Sequence, residues 1–223
     1  MSKWIDFTID ERKAMIQAVS DEKQIDEASA EKDWWVTAVL YVIFHTSIGE
    51  YLLFKGGTSL SKGWNIINRF SEDIDLALSR DFFLNVKNLT CANCTSNTQI
   101  HHLREKAQDY ILGDFKYELK EELKSLGLPV TVIGDNDVLD ENGEPLKVPH
   151  DKDPSVIFVK YTYALFEHDA CNYAVLNKDF LRTVSVVYGD ALCLRIFDFL
   201  VACRHFITCF QTEHGYLFRT DSS

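Results

Sequence analysis

The chain has 223 residues, 46% hydrophobic and 26% charged, the balance of an ordinary globular protein long enough for one large domain or two small ones sharing a core. Its 23 lysines and arginines against 34 aspartates and glutamates give a formal charge of −11. Such a surface repels nucleic acid and anionic membrane, so a polyanionic substrate must be met by metal ions or by a few placed cations.

The charged opening MSKWIDFTIDERK contains no apolar signal core, and Val36 to Phe44 (VTAVLYVIF) is far shorter than the ~20 residues of a membrane span. The expectation is a cytoplasmic protein with no membrane association, its six cysteines reduced. Asp10 to Val19 and Ser29 to Thr46 read as helices, the second with Trp34, Trp35, Val39 and Ile43 on one apolar face. Tyr51 to Phe54 is a short strand, and Gly56-Gly57 a turn where side chains would obstruct a close approach of the backbone. Thr58 or Ser59 can cap a helix running to about Asn68. Glu72 to Leu78 alternates with strand period, which puts Asp73 and Asp75 on one face and Ile74 on the other.

Leu84 to Thr98 reads as a polar loop, followed by a long amphipathic helix over about Gln99 to Leu126. Strands are expected near Pro129 to Ile133, Val156 to Phe166 and Arg182 to Tyr188, with a solvated loop over Gly134 to Asp153 and an apolar helix over Ala191 to Phe210. No internal repeat or low-complexity linker interrupts this order, which favours a single α+β domain. Cys91 and Cys94 with His101 and His102 do not make a zinc site, because adjacent histidines on a helix cannot easily share one metal.

The chemistry concentrates in Leu52 to Leu78, LLFKGGTSLSKGWNIINRFSEDIDLAL. Two aspartates on one strand face, roughly 6–7 Å apart, can share divalent metal, and hard carboxylate oxygens suit Mg²⁺. A Gly-Gly turn leading into a helix presents backbone N–H donors to an anion, and the hydroxyls of Thr58 and Ser59 add to them. Together these make a compact nucleoside triphosphate site; the competing reading is a plain turn followed by a solvated acidic strand. No Walker phosphate loop and no nucleophile elbow occurs.

KGGTSLSKGWNIINRFSEDIDLAL closely resembles the signature of the AbiEii/AbiGii-type nucleotidyltransferase toxins, of the polymerase-beta-like nucleotidyltransferase superfamily, and EKDWWVTAVL is similar to that family's N-terminal helix. The resemblance covers about Ala28 to Phe166. It implies a minimal nucleotidyltransferase fold, a short mixed sheet flanked by helices, over residues 1–170. It also implies transfer of a nucleoside monophosphate from a nucleoside triphosphate to an acceptor, often a tRNA end, by the toxin of a toxin–antitoxin or phage-defence pair with a cognate antitoxin. By position, Asp73 and Asp75 match the catalytic, metal-binding pair for Mg²⁺ or Mn²⁺. Gly56, Gly57, Thr58 and Ser59 match the turn that holds the triphosphate, and Arg69 a position where pairing with a carboxylate or phosphate is expected. Lys62, one helical turn on, either reaches a phosphate or is an exposed helix charge.

The likeness stops short of the C-terminus. Superfamily members place a third carboxylate on a neighbouring strand, and no glutamate stands at the matching place; Lys178-Asp179 is the nearest basic–acidic pair. Residues 171–223 therefore read as a divergent, truncated or frame-shifted segment, and the alternative to an enzyme is a catalytically degenerate member that only binds nucleotide or antitoxin.

Overall fold

The second helix is apolar nearly all the way round, which places it inside the protein rather than on it. In a computed structural model, which describes residues 6–64, 66–67, 73–87, 96–139, 143–144, 149, 155–161, 165–166 and the backbone of 181–188, this helix, α2 (Glu27–His45), buries Trp34, Trp35, Val36, Val39, Leu40, Ile43 and Phe44. Asp26 caps it, accepting from the Ser29 N–H at 2.8 Å. Helix α1 (Ile9–Lys23) packs alongside, started by a reciprocal capping box between Thr8 and Glu11. The backbone N–H of Thr8, donating to Glu11, is the main reason that carboxyl lies below its ordinary pKa.

Next come β1 (Leu52–Lys55), a short helix α3 (Gly56–Thr58) that continues as a π turn over Ser59–Gly63, β2 (Ile74–Leu78) and α4 (Arg80–Asn85). Helices α5 (Asn97–Tyr110) and α6 (Lys116–Ser125) are joined by a π turn, Ile111–Phe115. Leu103, Ala107, Ile111, Phe115, Leu119 and Leu123 recur every fourth residue and are all buried, so the long amphipathic helix expected here is present with one widened turn in its middle. The strands β3 (Val130–Gly134), β4 (Ser155–Tyr161) and β5 (Leu181–Tyr188) complete the described chain.

The five strands form one mixed sheet in the order β1-β2-β5-β4-β3, antiparallel except for the parallel pair β2–β5. This is the α+β architecture that the sequence implies, a short mixed sheet with flanking helices. Trp35 of α2 stacks on Tyr161 of β4 at 4.5 Å, and Glu31, 3% exposed, accepts the N–H of Leu165 at 2.9 Å and that of Phe166 at 3.2 Å. A buried carboxylate costs free energy unless charge-assisted hydrogen bonds meet it, and here the backbone leaving β4 supplies them.

Three local expectations are revised. Neither Thr58 nor Ser59 caps α3: the chain enters it at Gly56, whose φ of 74° is open to glycine, and the cap position falls on Lys55. The described helix then ends at Gly63 rather than Asn68. A helical turn, α4, precedes the expected polar loop and takes in its first two residues, Leu84 and Asn85; it is capped by Ser79, which accepts the Asp81 N–H at 3.2 Å. Most of that loop, Cys91 and Cys94 included, the 191–210 helix and the Lys178-Asp179 pair lie outside the described residues. Among the described residues no helix is long and apolar enough to cross a membrane.

Candidate active site

β1 and β2 run antiparallel with Lys55 opposite Asp75, so the end of the first strand, the turn and the acidic strand meet at one edge of the sheet. Burial alternates as the strand period requires: Leu52 and Phe54 of β1 and Ile74 of β2 are 0–2% exposed, whereas Leu53, Lys55 and Asp75 are half-buried. Asp73, just before β2, is exposed.

Two contacts lock the glycine turn onto the acidic strand. The Asp75 carboxylate packs directly against Gly56, where a Cβ would lie 2.1 Å from Oδ2 and 2.9 Å from Cγ. The hydroxyl of Thr58, 1% exposed, donates to the backbone carbonyl of Asp73. The threonine therefore does not face outward as a ligand; it ties the turn to the strand beside the first aspartate. Ser59 is also buried, and among the described residues its side chain has no hydrogen-bonding partner.

Lys62 is not an exposed helix charge. Its ammonium is turned onto α2, 2.6 Å from Oδ1 of Asp33 and 3.0 Å from the Thr37 hydroxyl, with both charged side chains about 15% exposed. Lys23 of α1 approaches the same carboxylate at 3.9 Å. Sequence reasoning missed Asp33 and Thr37, although their i, i+4 spacing in EKDWWVTAVL puts them on one helix face. It also missed Lys55, whose position at the end of β1 was visible but whose pairing with β2 was not. Arg69 and Glu72 lie outside the described residues.

The donor set fits a hard cation: two carboxylates one residue apart, one of them held against a glycine that leaves room only for its oxygens. Among the described residues no group of three or more His, Cys, Asp or Glu side chains is assembled. β5, the strand beside β2, places Ser185 opposite Asp75 and Val184 opposite Ile74, so the neighbouring register positions carry no carboxylate.

No curated protein matches the chain. A family model described as the nucleotidyl transferase AbiEii toxin of a type IV toxin–antitoxin system matches residues 38–152, just over half of the 223 residues and the span that carries the glycine turn and both aspartates. The chain thus belongs to the AbiEii nucleotidyl transferase toxins.

Proposed function

We propose that this protein is a metal-dependent nucleotidyltransferase that moves a nucleoside monophosphate onto the hydroxyl of an RNA 3′ end, with tRNA as the acceptor. It acts in the cytoplasm as a phage-defence toxin, held in check by a cognate antitoxin. The observation that carries this reading is the docking of the Gly56–Ser59 turn onto the Asp73–Asp75 strand through Gly56 and Thr58.

Asp73 and Asp75 would hold Mg²⁺ or Mn²⁺, which when bound neutralises triphosphate charge and lowers the pKa of an attacking hydroxyl. Gly56 and Gly57 leave the backbone open to phosphate oxygens, and Ser59 stands behind them with its hydroxyl uncommitted. The acceptor oxygen forms a bond to the α-phosphorus while the bond to the bridging β-phosphate oxygen breaks, releasing pyrophosphate. The protein contributes placement and charge rather than covalent chemistry. Arg69, from the sequence alone, remains a candidate phosphate ligand.

A second reading, nucleotide or antitoxin binding without transfer, is favoured by Ser185 standing opposite Asp75 where a third carboxylate would be expected. Incubation with each labelled nucleoside triphosphate, Mg²⁺ and total tRNA separates the two. Transfer of label, reduced to background by Asp73→Ala or Asp75→Ala, is expected. Nucleotide binding without transfer selects the second reading, and transfer that survives both substitutions removes the assigned metal site.

A further inference from the structure

We propose that Lys55 is a triphosphate-binding residue of this site, and that its charge makes metal loading depend on nucleotide. This rests on the reading of Asp73 and Asp75 as the metal-binding pair.

Lys55 and Asp75 are direct cross-strand partners on the less buried face of the β1–β2 pair. Opposed Cβ atoms in such a pair stand about 4.5–5.5 Å apart, close enough for a flexible lysine to close an ion pair. No ion pair joins them, and among the described residues neither side chain makes any other hydrogen bond or salt bridge. The Asp75 carboxylate is turned against Gly56 instead. Lys62, the other described cation of this stretch, is already engaged by Asp33. Half-buried opposite charges that stand side by side without pairing are each available to a third body. A metal–triphosphate complex offers what both need, a cation for the carboxylate and phosphate oxygens for the ammonium.

The same placement has a second effect. A positive charge carried on the residue opposite Asp75 repels a divalent cation that arrives alone and attracts the triphosphate that would bring it. Metal therefore binds weakly to the free protein and well in company with nucleotide. A lysine that merely supported the strand would have no such two-signed effect.

The test compares wild type with Lys55→Met and Lys55→Arg, each checked by thermal melting and circular dichroism. One series titrates ATP, GTP, CTP and UTP in EDTA; a second titrates Mn²⁺ alone and is followed by electron paramagnetic resonance. Lys55→Met is expected to weaken metal-free nucleotide binding about tenfold and to tighten binding of Mn²⁺ alone about threefold, as removal of one nearby positive charge requires. Lys55→Arg keeps both values near wild type. If Lys55→Met melts early, Lys55→Gln replaces it in the same comparison. Unchanged binding in both series, or weakening in both, overturns the proposal while the reading of the site stands. Wild-type protein that binds no nucleoside triphosphate, or whose Mn²⁺ binding ignores Asp73→Ala and Asp75→Ala, overturns the site and the proposal together.

Discussion

Gly56 answers two demands at one position, a φ of 74° and an aspartate oxygen packed where its side chain would be. A Gly56→Ala substitution meets both the strained conformation and the clash, a cost of about 1–3 kcal/mol, and it must push Asp75 aside. The expected outcome is a lowered melting temperature together with weaker Mn²⁺ binding. Gly113 is the control: a Cβ there meets nothing within 4 Å, so Gly113→Ala should leave stability unchanged or slightly raised. Asp137 shows a different kind of residue-scale effect. Burial pushes its carboxyl up, but the Lys116 ammonium at 2.6 Å and the Gly134 N–H at 2.7 Å outweigh it and hold the group below its ordinary value. A lowered folded-state value means stability present above the unfolded carboxylate pKa of about 4 and lost as pH falls through the folded value. The group is largely solvated, so the amount is at most about 1 kcal/mol. Urea denaturation at pH 6 and pH 3 should show this loss in wild type and a smaller one in Lys116→Met.

At the scale of elements, the glycine turn is supported from behind by α2. Asp33 and Thr37 hold Lys62 and so fix the π turn that continues α3 to α2, the most buried helix among the described residues. Asp33→Ala leaves a largely buried ammonium without its counter-charge, a loss of about 1–3 kcal/mol, and should lower the melting temperature without touching the aspartates of β2. Retained Mn²⁺ binding in that variant would separate this support from the proposed metal site. Much of this layer was legible from local pattern. The alternation around Ile74 placed Asp73 and Asp75, and the four-residue spacing from Leu103 to Leu123 placed α5 and α6. What was not legible depends on partners distant in sequence. Thr58 looked like a cap because its real acceptor is the carbonyl of Asp73, fifteen residues on. Lys62 looked like either a phosphate ligand or an exposed charge because its partner Asp33 is twenty-nine positions earlier, in another helix. Lys55 gave no signal until the β1–β2 register was known. Helix α4, six residues long, is too short to show periodicity.

For the molecule as a whole, the arrangement turns on β5. A division at residue 170 follows the loss of family resemblance, yet β5 lies beyond it and stands between β2 and β4. Ending the chain at residue 170 would leave β1–β2 and β3–β4 as separate two-stranded pieces, which are marginal in water. The full chain is expected to show a cooperative thermal transition and dispersed amide resonances, and such a truncation should abolish both. The strand order also sets a timetable for synthesis. β5 is the last of the five described strands in the chain, and its neighbour β2 is made more than a hundred residues earlier. Until β5 emerges, β2 carries on the side away from β1 a row of unpaired backbone groups, an open edge of the kind that recruits foreign strands. The acidic strand Ile74–Leu78 is that edge, so the nascent chain displays Asp73 and Asp75 before the sheet that steadies them has closed.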